Sequence, residues 1–525
     1  MADGCNGHPH FFVHSNDGGE MNRRSLLASA GWIALGYPIR RLSAFVPTPR
    51  FSDYPFAVGV ASGDPTSNGV VLWTRLMPDA HRMQDWQRET VQVDWAVATD
   101  EGMKRIVRRG RESAHPEYGH SIHVEVRGLQ QNRWYWYQFR AGSESSPVGR
   151  TRTAPASSAD SIRFAFASCQ RFHEGFYTAY QHMADEDIDL VVFLGDYIYE
   201  TGGVGPRTVP LNEPMTLGGY RDRYALYRTD EHLREAHRLF PWIITWDDHE
   251  VENNYAGIFP ESNVSQADFL KRRAAAYQAH YEWMPLPKAC IPNGPNSRLY
   301  RRLSYGSLAS FFVLDGRQHR SDQACGGGTK VPCEESRNGQ RTMLGSQQEN
   351  WLTGEFKRAR SRWNIMANQV RMTAVDARAG PGETYSMDQW AGYEPARRRF
   401  VGNLVDHRVS NPVVITGDIH SNWVGDLKVD YGAPAGRIVG TEFVGTSITT
   451  GGDGAASIPS VETYLSETPQ IHFFNAQRGY VRCEVTSGAM TADFRVLQRV
   501  SVKESPITTR ASFIVENGRP GAHRR

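Results

Sequence analysis

The chain alternates apolar and polar residues with two different periods, and the change from one to the other divides it. Between about residues 56 and 155, runs at 69–75, 91–97, 121–126 and 134–139 set an apolar side chain at every second position, with turn-forming residues between them. A period of two marks strands with one buried face, and short runs at this spacing predict a small all-β sandwich over 49–153. The segment Thr153-Ala-Pro-Ala-Ser-Ser158 then reads as a linker. Beyond it, apolar runs at 162–167, 190–194, 243–246, 308–314, 365–367 and 413–416 predict strands. Amphipathic stretches at 177–185, 220–240, 267–281, 347–360 and 395–409 predict the helices that alternate with them. Strands covered on both faces by helices predict a layered α/β body, assigned to 159–505. A last strand near 512–515 and a fraying tail are expected within 506–525.

Residues 21–36 place Arg23 and Arg24 ahead of an apolar run. That run is shorter than the roughly 20 residues a membrane-spanning helix needs, so no stable membrane anchor is expected. The arrangement resembles a twin-arginine export signal over 21–44, inside a leader of 1–48. It implies the twin-arginine export machinery as a partner and a periplasmic or secreted destination. Lys and Arg number 59 against 57 Asp and Glu, a formal net charge of +2, so no global field favours a nucleic-acid scaffold role. With 40% hydrophobic and 22% charged residues the composition is that of a globular chain, and a monomer is expected. Cys5 lies in the leader. Cys325 and Cys333 flank a glycine-rich loop and predict a local disulfide in an oxidising compartment, while Cys290 and Cys483 could pair or stay buried and free.

Four of the predicted strands run directly into polar residues: Ser168-Cys169-Gln170-Arg171, Gly195 to Glu200, Asp247-Asp248-His249-Glu250, and Gly417-Asp418-Ile419-His420. Ligands of open α/β sheets sit beyond the carboxyl ends of strands, so these tips are expected to converge in one crevice. Gathered carboxylates repel one another, and a convergent set of Asp, His, Cys and Tyr is tolerable mainly around a cation. A thiol at Cys169 and a phenol at Tyr199 both gain from a strongly charged transition metal that deprotonates them, and ferric iron (Fe3+) is the best candidate. Asp196 can bridge to a second ion. Asp248, Asn253 and Asp418 offer that ion oxygen ligands only, which suits calcium (Ca2+). Paired ions clamp a phosphoryl group and activate water, which points to phosphate ester hydrolysis.

These residues also resemble a family. Gly195-Asp-x-x-Tyr199 resembles the metallophosphatase block of purple acid phosphatases. Asp247-Asp-His-Glu250 stands where those enzymes have Gly-Asn-His, and Gly417-Asp-Ile-His420 where they have Gly-His-x-His. With Ser168-Cys169 in the first block, the run from Trp246 to Asn254 and the arginine pair of the leader, the chain resembles the PhoD-type alkaline phosphatases. Further likeness lies at 56–64, 314–317, 367–370 and 388–393. The resemblance implies a metallophosphatase domain with two central sheets flanked by helices, and the run 128–139 separately resembles a late strand of a fibronectin type III domain. It also implies phosphomonoesterase and phosphodiesterase activity through a hydroxide activated by iron and calcium, serving phosphorus acquisition.

Carried over position by position, Cys169, Asp196, Tyr199 and His420 would hold the ferric ion, with Asp196 shared, and Asp248, Asn253 and Asp418 would serve calcium. Asp247 and Asp248 offer two registers, and either could ligate. His249 would protonate the leaving alkoxide or orient bound phosphate. Arg171 would bind phosphate in a bidentate fashion or form a surface ion pair. Arg317 has the same choice, with the structural pair, to Asp315, favoured over phosphate binding, and Trp390 and Tyr393 either wall the pocket or simply pack. No match is evident for the Val-x-x-His block of the metallophosphatases. Competing readings are a phospholipase D acting on lipid head groups and a catalytically inactive exported binding protein. A serine hydrolase is weaker, because Gly445-Thr-Ser-Ile-Thr449 lacks the second glycine of the nucleophile elbow.

Overall fold

The computed structural model of the protein describes residues 51–77, 89–432 and 436–525; the arginine pair, the leader and Cys5 lie outside the described residues. Two large sheets organise the rest. The central strand Ser161–Ala167 shows why they form: Phe164 and Phe166 point to one side, Ala165 and Ala167 to the other, and all four are buried. A strand buried on both faces belongs inside a layered structure, and each large side chain removed from water there contributes roughly 1.5–3 kcal/mol.

The first sheet has ten strands. From one edge they are Arg519–Arg524, Ile507–Glu516, Ala489–Leu497, Gly479–Thr486, Ser161–Ala167, Leu190–Phe193, Pro241–Ile244, Val60–Thr66, Gly69–Arg75 and Ser121–Arg127. The second has eight, with a parallel heart of Ala309–Val313, Trp363–Ala367, Pro412–Thr416 and Ile438–Val444. The sheets share a core in which Phe164, Phe166, Phe311, Ile365, Val413, Phe443 and Phe494 belong to one cluster. Helices Thr178–Ala184, Leu217–Tyr227, Glu231–Leu239 and Gln266–Trp283 bury their apolar stripes against the outer face of the first sheet. Helices Gly345–Arg358 and Glu394–Asp406 do so on the outer face of the second. The fold is mixed α/β, and no helix among the described residues is long and apolar enough to cross a membrane.

Three expectations are corrected. The single helix expected over 220–240 is two, because Asp230 turns its carboxylate onto Leu233 N at 3.0 Å and caps a new helix. The residues after 515 do not fray: Arg519–Arg524 pairs with Ile507–Glu516 and finishes the sheet edge. The N-terminal sandwich is not built from two sheets of its own. One layer is a five-stranded sheet containing Val91–Ala98, Ile106–Ala114 and Trp134–Ala141, while the facing strands Val60–Thr66, Gly69–Arg75 and Ser121–Arg127 are the end of the ten-stranded sheet. Ser62 and Gly63 pair in parallel with Pro241 and Trp242. A Cβ on Gly63 would lie 2.4 Å from Pro285 O, so the junction needs glycine there. Asp64 then accepts two hydrogen bonds from Arg301, at 2.5 and 2.7 Å. Alternating strands look the same in sequence whether they pair within a module or across its border, which is why the pattern missed this.

Candidate metal centre

The parallel strands Ser161–Ala167, Leu190–Phe193 and Pro412–Thr416 run into sharp turns that hold residues in the left-handed region that non-glycine residues seldom enter. Cys169 has φ 59°, Asp196 58°, Asp418 66° and His420 54°. Four such residues at three strand tips mark backbone strain concentrated at one place. Gly195, at φ 112°, is needed for a further reason: a Cβ there would meet Asp247 Cβ at 2.4 Å. Glu250 holds these turns from below. Its buried carboxylate accepts the backbone N–H groups of Asp196 at 3.0 Å, Tyr197 at 2.7 Å and Asp247 at 2.9 Å. A parallel bridge from Ser168 to Ser447 ties the two sheets together at this end, and Thr450 Oγ1 donates to Cys169 O at 2.8 Å.

The turns bring the expected residues together. Ligand atoms of Cys169, Asp196 and His420 lie within 4.8 Å of one another, as do those of Asp196, Asp248 and His249, and those of Asp247, Asp248 and Asp418. The Tyr199 hydroxyl donates to Asp196 Oδ2 at 2.8 Å and lies 3.3 Å from His420 Nε2. One set therefore offers sulfur, phenol, imidazole and carboxylate, and another offers carboxylate oxygen alone.

The electrostatics are those of anions crowded out of water. Burial first, and the Asp196 carboxylate second, push the Cys169 thiol and the Tyr199 phenol well above their ordinary values. Burial likewise lifts the carboxyls of Asp196 and Asp247 far out of the usual range, and that of Asp418 to about 6. Despite its burial, Asp248 is held low by Arg317 and His249. His420 is pushed down to about 3 by burial and Arg478, so it offers a neutral imidazole. Two buried carboxylate oxygens, Asp247 Oδ2 and Asp248 Oδ1, accept no hydrogen bond. Orphaned anionic oxygens in a crowd of carboxylates are costly alone and are relieved by a cation, so these residues fit a metal site.

The remaining candidates are placed as follows. His249 lies tilted against Tyr199 with ring centroids 4.1 Å apart, and its Nδ1 meets Glu200 Oε2 at 2.7 Å. Glu200, Asp248 and Asp196 together outweigh burial and hold that imidazole well above its ordinary value. Arg171 sits at the rim with its guanidinium 4.8 Å from the Tyr199 ring centre, and its Nη1 donates to Glu174 at 3.1 Å. Asn253 donates its backbone N–H to Glu200 at 2.9 Å and its side-chain amide N–H to Glu261, while Asp247, Asp248 and Asp418 gather their carboxylate oxygens close by. Arg317 does not pair with Asp315 through its side chain. It reaches Asp247, Asp388 and Asp418. Trp390 and Tyr393 pack in the core behind the second sheet, with Trp390 Nε1 donating to Asn368. Cys325 and Cys333 form the expected disulfide, and Cys290 and Cys483 are buried and free.

Sequence reasoning missed Glu200, Glu250, Arg317 and Thr450 as parts of the site. A signal existed for the two glutamates: each directly follows an expected site residue at the end of a buried strand, where a solvated acid is out of place. The Gly445–Thr449 run, weighed as a nucleophile elbow, is instead the segment that anchors the Cys169 turn.

The chain is similar to known proteins over most of its length. A family model described as PhoD-like phosphatase matches residues 164–494, and a second, for the N-terminal domain of the PhoD-like phosphatases, matches 42–155. Alkaline phosphatase D of Bacillus subtilis (strain 168) is 48% identical over 517 residues, covering 95% of this chain and 88% of that protein. A solved structure described as "Structure of PhoD" superposes with a TM-score of 0.89 at 48% identity, covering 91% of this chain and 93% of that one.

Proposed function

The chain belongs to the PhoD-like phosphatase family and is a phosphoester hydrolase, and from that premise we propose that it cleaves phosphate monoesters and diesters outside the cytoplasm, using ferric iron and calcium, to acquire phosphorus. The observation that carries the reading is the split donor set: Cys169, Tyr199, His420 and Asp196 on one side, and the oxygens of Asp247, Asp248 and Asp418 on the other, linked through Asp196 and Asp248. The first set suits ferric iron and the second a hard ion such as calcium. Bound there, such ions neutralise phosphoryl charge and lower the pKa of water.

The chain's own residues supply the rest. Glu200 fixes the ring of His249 through Nδ1, which leaves Nε2 to carry a proton toward the leaving oxygen. Glu200, Asp248 and Asp196 raise the basicity of that imidazole, which favours the form that carries the proton. Arg171, a quarter exposed at the rim, is within reach of a phosphate oxygen if Glu174 releases it. Export is supported by the twin-arginine resemblance at 21–44 and by the Cys325–Cys333 disulfide, which persists in oxidising compartments.

The test is direct. Protein exported by a bacterial host and purified from outside the cytoplasm is assayed for iron and calcium by elemental analysis, and on p-nitrophenyl phosphate and its bis ester. Both esters are hydrolysed in the presence of calcium, chelation abolishes turnover, and Asp196→Asn is inactive. Full hydrolysis by Asp196→Asn, or by chelated protein, would refute the assignment.

A further inference from the structure

The segment after strand Ile438–Val444 bridges to the other sheet at Ser447 and then sets one hydroxyl beside an expected metal ligand. Thr450 and Tyr199 are both buried, and Thr450 Oγ1 lies 2.9 Å from the Tyr199 hydroxyl oxygen. Its other neighbours decide what that hydroxyl can do. Thr450 Oγ1 accepts the backbone N–H of Arg171 at 3.1 Å, which leaves its own proton to donate. Two acceptors are in reach, Cys169 O at 2.8 Å and the Tyr199 oxygen. Cys169 O already takes the backbone N–H groups of Thr449 at 3.4 Å and Thr450 at 3.3 Å, as many as its two lone pairs hold. The Tyr199 hydroxyl gives its own proton to Asp196 Oδ2 at 2.8 Å, and without that proton its oxygen is an anion with the Thr450 hydroxyl beside it. The Thr450 backbone is itself held, because Ser447 Oγ donates to Thr450 O at 2.6 Å.

We propose that Thr450 is a positioning residue for Tyr199: its hydroxyl turns from Cys169 O to the phenolate oxygen and draws part of that oxygen's charge away from the metal. This rests on the reading that Tyr199 binds ferric iron as a phenolate. A hydrogen bond to an anion is about twice as strong as one between neutral groups, so the Thr450 proton follows the charge. Cys169 O loses little by the exchange, since its two backbone donors remain. A phenolate that accepts this bond donates less to the ion, which leaves more positive charge to set against a phosphoryl group. Thr450 touches neither the substrate nor the reacting atoms and acts only through Tyr199.

The experiment uses the full chain loaded with iron and reads the phenolate-to-iron charge-transfer band in the visible spectrum, with bound iron counted by elemental analysis. Thr450→Val, which keeps the shape and removes the hydroxyl, moves the band to longer wavelength by about 20 nm, the visible-light equivalent of one charge-assisted hydrogen bond. It also loses iron to a hydroxamate chelator about tenfold more readily. Thr450→Ser, which keeps the hydroxyl, stays at the wild-type wavelength. A merely structural threonine would lower the melting temperature and the iron content of Thr450→Val and leave the band of the remaining iron where it was, and that result overturns the proposal. Wild-type protein supplies a second measurement that does not depend on how the variant folds: resonance Raman excitation in the same band shows the phenolate C–O stretch shifting between H2O and D2O, and an unshifted stretch overturns the proposal on its own. A wild-type protein with no phenolate-to-iron band refutes the ferric-iron reading beneath it instead.

Discussion

Replacing Glu250 with glutamine changes one atom and tests how the centre is held. The carboxylate is fully buried and accepts three backbone N–H groups, two on Oε2 and one on Oε1. An amide has a single acceptor oxygen. Whichever way the glutamine is turned, at least one buried N–H faces an NH2 group and loses its partner, at a cost of about 1–3 kcal/mol. The bonds that survive lose the help of the charge, on the order of 1 kcal/mol more. The total of roughly 2–4 kcal/mol falls on the turns of Asp196 and Asp247, and Asp196 is already strained at φ 58°. The assay is thermal unfolding followed by circular dichroism, together with iron content and turnover of an aryl phosphate. Melting several degrees lower, weaker iron retention and a fall in kcat of about tenfold or more are expected. A variant with unchanged melting temperature, iron content and kcat would show that the strand tips hold their shape without Glu250, and the account of the site would fail.

Three further outcomes follow from the same geometry. Glu200→Gln loosens His249, so kcat for alkyl phosphates falls by about 10–100-fold while aryl phosphates, whose leaving group needs no proton, fall much less; equal losses on both would remove His249 as the acid. His123 and His280 are pushed by burial down to about 4 and about 3. The unfolded chain therefore binds protons that the native one refuses. Stability present above pH 6.5 is lost progressively as pH falls toward these values, and a His123→Asn variant should show a shallower decline of melting temperature with acid than wild type. Asp64→Ala leaves the Arg301 guanidinium without its two-point partner in a nearly closed site, at about 3–5 kcal/mol; denaturant unfolding with limited proteolysis of residues 60–127 reads it, and wild-type resistance would refute the importance of that junction.

Much of this was legible in the sequence because it rests on local periodicity and on chemistry placed at strand ends. The strands at 162–167, 190–194 and 413–416 are found within a residue of Ser161–Ala167, Leu190–Phe193 and Pro412–Thr416. Cys169, Asp196, Tyr199, Asp248, Asp418 and His420 meet because each follows such a strand. What the sequence concealed depends on partners far away in the chain. Arg317 next to Asp315 suggests a neighbourly ion pair, yet a long side chain beside a sheet can reach carboxylates brought in by two other strands. Glu250 gave no periodic signal because its partners are backbone amides, which look alike in every sequence. The helix break at Asp230 was readable from its capping chemistry, an aspartate directly before Glu231–Leu239.

The parallel pairing of Ser62 with Pro241, and the edge supplied by Arg519–Arg524, bear on how the polypeptide acquires its shape during synthesis. A ribosome delivers Val60–Thr66 well before its parallel neighbour Pro241–Ile244, and the opposite border of the same sheet, Arg519–Arg524, comes later still. The free edge of Val60–Thr66, paired on its other side with Gly69–Arg75, must wait for Pro241–Ile244 until nearly half the chain is made, and it is exposed meanwhile. Cutting the gene between the two regions recognised by the family models would accordingly yield two fragments that aggregate, because the seam in the text runs through the middle of one hydrogen-bonded ladder.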